Sequence, residues 1–156
     1  MQHELIVLPD AAAVSKAAAE HVAAAARDAV AARGAFSLAV SGGRSPWAMF
    51  ADLADLDMPW ESVEIYQVDE RIAPEGDPLR NLTHLRESLG PQLPVQIHPM
   101  PVEDPDAERA ARDYAGELPA TIDLIHLGIG PDGHTASLVP GDPILDVTDR
   151  LVAVTG

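Results

Sequence analysis

The feature that most constrains this chain is a repeated alternation of short apolar runs with longer stretches of helical character. Runs at residues 36–40 (Phe-Ser-Leu-Ala-Val), 63–68 and 122–127 are too short for helices and rich in residue types that suit a pleated surface. Residues 4–8 and 95–98 give two more expected strands, and 151–154 the start of another. Between them the sequence predicts helices from an Asp10 cap to about Arg33, and over 46–54, 82–89 and 104–116. Gly34 stands where the first helix should stop. Strands that alternate with helices form a mainly parallel sheet covered on both faces, so the expected class is α/β. With 156 residues and neither an internal repeat nor a linker, one domain over residues 1–156 is expected.

Charge narrows the partners. The formal net charge is −15, from 25 acidic against 10 basic groups. Such an excess repels phosphate backbones and anionic membranes, which argues against nucleic acid and membrane partners. It says little about a small anion, because exposed charges beyond the Debye length of about 8 Å are screened and local N–H groups or arginines decide. There is no cysteine, which suits the cytoplasm. The start, Met1-Gln2-His3-Glu4, lacks the basic region of a secretion signal. Lys16, Glu20, Arg27 and Asp28 interrupt the alanine-rich stretch 11–32, so it is not expected to span a membrane.

The unusual residues follow the carboxyl ends of expected strands, the edge at which open α/β sheets bind ligands. Ser41-Gly42-Gly43-Arg44-Ser45-Pro46 joins a strand to a helix. Its glycines let backbone N–H groups approach a ligand, and the helix start favours an anion. It reads as a phosphate cradle with Arg44 as an added cation, or as an ordinary tight turn. Asp69-Glu70-Arg71 puts three charges at a strand exit, where a carboxylate can orient hydroxyls and an arginine can hold an anionic oxygen. In isolation the triplet reads as a solvated strand end with an internal ion pair. Asn81 serves either as a helix cap or as a group reaching the same cleft.

The stretch from Gly128 to Leu138 carries the most chemistry. Its G-x-G-x-x-G spacing matches a dinucleotide loop. Three facts reject that reading: Asp132 would face a pyrophosphate, the motif lies late in the chain, and Pro140-Gly141-Asp142-Pro143 stands where a ribose-binding acid belongs. His134 is the candidate general base, since neutral imidazole accepts a proton near neutral pH, with Asp132 as a candidate orienter and Gly130 and Gly133 shaping the loop. Ser137 lacks the G-x-S-x-G elbow of a serine nucleophile. His126 lies within a strand and reads as structural. No histidine and carboxylate spacing resembles a zinc set, so no metal is expected.

Together, Ser41-Gly42-Gly43-x-Ser45-Pro46, Asp69-Glu70-Arg71 and Gly128-x-Gly130-x-Asp132-Gly133-His134-Thr135-Ala136-Ser137-Leu138 resemble the 6-phosphogluconolactonase signature in order and spacing. Asp77 and Asn81 resemble an Asp and Asn that follow Asp-Glu-Arg in that family. The resemblance implies a Rossmann-like three-layer sandwich and hydrolysis of 6-phosphoglucono-δ-lactone to 6-phosphogluconate in the pentose phosphate pathway, with no cofactor. It gives Gly42 and Gly43 to the phosphate, Arg71 to a substrate anion or oxyanion, and water activation to His134. Ser41, Arg44, Asp69, Asn81, Gly130 and Gly133 complete the expected binding set. Arg44 departs from the small hydroxyl residue common there. Family members also continue past residue 156 with a segment carrying basic residues, so this chain is expected to be incomplete at its C-terminus. An amino-sugar-phosphate isomerase is the enzymatic rival, but Ser137-Leu138-Val139-Pro140 supplies none of its acid groups. A non-catalytic sugar-phosphate-binding remnant is the other alternative.

Overall fold

Asp10 opens the first helix, α1 (Ala11–Arg33), by accepting the Ala13 N–H at 2.8 Å. Gly34 closes it in the left-handed region, φ 82°, with its own N–H returned to Val30. Ser15, Ala19, Val22, Ala26 and Ala29 recur at helical spacing and are buried. Alanine contributes little area, but it lets α1 lie close to its neighbours. A Cβ at Gly34 would meet nothing within 4 Å. Gly34→Ala is therefore expected to cost about 1–2 kcal/mol through backbone strain alone, read as a lowered urea midpoint with an unchanged slope.

The computed structural model describes residues 3–155. Met1, Gln2 and Gly156 lie outside the described residues, and with them the two ends of the expected domain and part of the basis for expecting no secretion signal. After α1 come β1 (Phe36–Val40), α2 (Arg44–Ala54), β2 (Val63–Gln67), α3 (Asn81–Leu89), β3 (Gln96–His98), α4 (Ala107–Glu117) and β4 (Leu124–His126). The four strands are parallel, in the order β3-β2-β1-β4. Leu38 is paired with Ile65 on one side and Leu124 on the other.

Alternation along the strands sends Phe36, Leu38, Val40, Val63 and Ile65 to one face. There they pack with Ala19, Val22, Ala23 and Ala26 of α1, Met49, Phe50 and Leu53 of α2, and Leu85 and Leu89 of α3. Ala39 and Tyr66 face the other side, against Ala110, Ala111 and Tyr114 of α4. The Tyr114 hydroxyl accepts the Gln67 N–H at 2.7 Å, and burial pushes its pKa up to about 12. Helices thus cover both faces, as the α/β expectation required. The α4 face is only partly covered: a trough of about 710 Å³ runs between α4, the sheet and residues 144–155. No described helix is long and apolar enough to cross a membrane.

Side chains fasten β4 to β1 at both ends. Asp123 Oδ2 accepts the Ser37 N–H at 2.9 Å, and its Oδ1 accepts Arg33 from the end of α1 at 2.5 Å. At the other end Ser41 Oγ donates to the His126 carbonyl at 3.2 Å.

Two expected strands are absent. Residues 4–8 run without a strand partner, with Leu5, Ile6 and Val7 exposed, and residues 151–154 are likewise unpaired. An apolar run becomes a strand only beside an edge that takes up its N–H and C=O groups, and these two have none. In three elements a boundary also shifts by two residues or more. α2 begins at Arg44, which leaves Pro46 in its first turn, where a proline is tolerated. α4 begins at Ala107, because Asp106 caps it by accepting the Arg109 N–H. β4 holds only three of the six expected residues, since Asp123 is engaged with Ser37 and Leu127 lies beyond the pairing.

Candidate functional site

The chain runs β1, β2, β3 toward one edge of the sheet and then returns to place β4 on the far side of β1. That reversal is a topological switch point, and the crevice outside the carboxyl ends of β1 and β4 is where such sheets hold ligands. Three loops meet this edge. They are residues 41–43 after β1, 68–80 after β2 and 127–138 after β4.

In the first loop, Gly43 caps α2 at φ 123°, and no side chain among the described residues satisfies the first N–H groups of that helix. A side chain at Gly42 would collide with the Asn81 amide, which would have to move to make room. Ser41 is buried and its hydroxyl is engaged by the neighbouring strand. Arg44 is exposed on the first turn of α2 and makes no ion pair among the described residues.

The second loop departs from a solvated strand end. Asp69 Oδ2 accepts Ser137 Oγ at 2.8 Å and lies 3.5 Å from the Arg71 guanidinium, which is the expected internal ion pair. Asn81 Nδ2 donates to the Asp69 carbonyl at 3.1 Å and lies 3.4 Å from Oδ1. Arg71 itself remains 57% exposed. Glu70, by contrast, has a side chain with 0% exposure and sits beside Arg80, at 1%, with Nε 3.0 Å from Oε2. Burial pushes the Glu70 carboxyl up, but the Gln67 amide, the Arg71 and Leu82 N–H groups and Arg80 outweigh it and hold the group below the usual glutamate range. Arg80 continues to Glu103 at 2.5 Å and to the Ala73 carbonyl at 2.8 Å. Asn81 is not the helix cap. Arg80 occupies that position, and the cap is the Glu70 carboxylate, which accepts the Asn81 and Leu82 N–H groups at 2.7 and 2.9 Å. Asp77 shapes the approach to α3, its Oδ1 accepting the Leu79 N–H at 2.8 Å.

The third loop is a tight turn around His134. Gly130 accepts the Gly133 N–H at 3.0 Å and donates to the His134 carbonyl at 2.8 Å, with Gly133 at φ 89°. The imidazole packs over Gly130 where a Cβ would collide with it. Asp132 Oδ1 lies 2.5 Å from His134 Nδ1 and also accepts the His134 N–H at 3.2 Å. The His134 side chain holds the Asp132 carboxyl below the usual aspartate range. Nε2 of His134 makes no hydrogen bond among the described residues. His126, at the end of β4, has its pKa lowered by burial and leaves Nδ1 without a partner.

The expected residues therefore fall into two groups. Gly42, Asp69, Arg71 and Asn81 form one; Gly130, Asp132, Gly133 and His134 form the other. No hydrogen bond or ion pair among the described residues joins His134 directly to Gly42, Gly43 or Arg71. Ser137, three residues past the imidazole, is the link, through Asp69. Nothing in the sequence around Ser137, Arg80 or Gln67 marks these contacts. A hydroxyl whose partner lies 68 residues away leaves no local signature.

Comparison with known proteins adds a family frame. The profile described as glucosamine-6-phosphate isomerases/6-phosphogluconolactonase matches residues 9–156. The chain is 39% identical to the 6-phosphogluconolactonase of Synechocystis over 136 residues, covering 78% of this chain and 56% of that protein. It is 34% identical to the 6-phosphogluconolactonase of Streptomyces coelicolor, covering 96% and 66%. Among solved structures, a 6-phosphogluconolactonase from Shewanella baltica superposes with a TM-score of 0.88 at 29% identity, covering 96% of this chain and 67% of the other. The chain thus spans between about half and two thirds of the length of these proteins.

Proposed function

We propose, for a chain that belongs to the glucosamine-6-phosphate isomerase and 6-phosphogluconolactonase family, that it hydrolyses 6-phospho-D-glucono-1,5-lactone to 6-phosphogluconate. The observation that carries this reading is the Asp132–His134 pair at the switch-point edge. A carboxylate on Nδ1 favours the tautomer whose Nε2 lone pair is free, which is the form that takes a proton from water. The hydroxide equivalent attacks the lactone carbonyl, and negative charge builds on its oxygen. Arg71, half exposed beside Asp69, is suited to hold that oxygen or another substrate anion. Collapse breaks the ring C–O bond, and the imidazolium gives its proton to the departing alkoxide oxygen, which leaves as a hydroxyl. The phosphate is assigned to the glycine turn, where the uncapped N–H groups of α2 provide local attraction despite the net charge. An isomerase moves a carbon-bound proton and needs further acid groups, which Ser137-Leu138-Val139-Pro140 does not offer.

The test is a coupled assay of 6-phosphogluconate formation against the spontaneous rate of lactone opening. A clear rate gain is expected from the purified protein, and no gain above background refutes the reading. Gly42→Ala is expected to raise KM by about tenfold, since its methyl displaces the Asn81 amide beside the phosphate turn.

A further inference from the structure

Among the described residues Glu70 accepts hydrogen bonds from more residues than any other carboxylate, and the mechanism above gives it nothing to do. Its side chain is fully buried. Oε1 accepts the N–H groups of Arg71 at 2.8 Å and Asn81 at 2.7 Å. Oε2 accepts Gln67 Nε2 at 2.8 Å and the Leu82 N–H at 2.9 Å, with Arg80 Nε 3.0 Å away. One carboxylate thus accepts four hydrogen bonds from β2, the loop after it and α3, and is paired with the Arg80 guanidinium. Two of those donors belong to residues that face the crevice. Arg71 is held through its backbone beside Asp69, and Asn81 is held so that its amide reaches both Asp69 and the Gly42 backbone.

We infer that Glu70 is a positioning residue: its buried charge sets where Arg71 and Asn81 stand relative to the glycine turn, without touching substrate. This rests on the lactonase reading above. A neutral amide of the same shape offers only one acceptor oxygen and turns an N–H₂ group toward donors, so at least two of the four hydrogen bonds become unfavourable. Arg80 loses its fully buried counter-charge at the same time. Because Glu70 positions Asn81 beside the glycine turn and Arg71 beside the developing oxyanion, its loss belongs in both KM and kcat/KM. His134 lies on another loop, and its protonation should not respond.

The experiment compares Glu70→Gln with Leu53→Ala, a variant of a fully buried residue of the α2 core face. Both are measured well below their melting temperatures. Glu70→Gln is expected to raise KM, and to weaken calorimetric binding of 6-phosphogluconate, by at least about tenfold, and to lower kcat/KM by at least as much, while the pH profile of kcat stays in place. Leu53→Ala should melt at a lower temperature yet keep KM. In Glu70→Gln, hydrogen exchange of the Arg71, Asn81 and Leu82 amides should speed up selectively. An unchanged KM and product affinity in Glu70→Gln overturns the inference, and so does an equal rise in KM for Leu53→Ala. If the wild-type protein neither turns over the lactone nor binds the product, the functional reading fails; the exchange pattern then decides whether Glu70 fixes Arg71 and Asn81.

Discussion

Replacing His134 with alanine is expected to lower kcat for lactone hydrolysis by about 10²–10⁴-fold, the contribution usual for a positioned general base. Binding of 6-phosphogluconate should change little, because the contacts proposed for the phosphate and for Arg71 come from other loops. The expectation follows from geometry. His134 sits on a turn closed by Gly130 and Gly133, its ring fills the space above Gly130, and Asp132 occupies Nδ1. Asp132→Asn should fall between wild type and His134→Ala, because the amide leaves the ring in place but removes the charge that favours the productive tautomer and stabilises the imidazolium. Stopped-flow or coupled kinetics over a pH series would measure both. A His134→Ala protein that keeps its rate gain would place the base elsewhere and end the proposed mechanism.

The largest expected loss of stability comes from Arg80→Ala. Removing one member of a buried ion pair typically costs about 3–5 kcal/mol, since the survivor is left as an uncompensated charge. Glu70 retains donors from Gln67, Arg71, Asn81 and Leu82, which places the cost near the lower end, about 3 kcal/mol. Glu103 is half exposed and returns to water. Urea denaturation followed by circular dichroism should show a lowered midpoint, and a shift under about 0.5 kcal/mol, typical of surface changes, would refute the role. The effect also has a pH signature. The folded pKa of Glu70 is depressed, so its contribution is complete above the ordinary value of 4.5 and disappears as pH falls through the folded value. The gap between wild type and Arg80→Ala should therefore be widest near neutral pH and narrow in acid.

What the sequence disclosed and what it hid follow from how local each determinant is. Asp10 and Gly34 bracket α1 through contacts three and four residues away, so both ends could be read directly. Residues 36–40 alternate inside a buried sheet and were equally plain. The three glycine-rich or charged segments stood out because such residues rarely follow apolar strands without reason. Glu70 did not, because a charged side chain at a loop start is usually solvated, and its burial depends on Arg80 ten residues later and Glu103 beyond that. The expected strands at 4–8 and 151–154 failed for a related reason. Apolar character can be counted along the chain, but a partner edge is a property of the assembled sheet.

The short strand β4 carries a consequence for the chemistry. It is three residues long, yet Asp123 grips Ser37 at its entrance and Ser41 grips the His126 carbonyl at its exit. A slip by one residue would break both clasps, turn Leu124 away from the core and carry everything downstream about 3.3 Å along the sheet. The height of the imidazole above the crevice is thus set by two serines on the neighbouring strand and its exit, as a ratchet pawl sets the position of a rack.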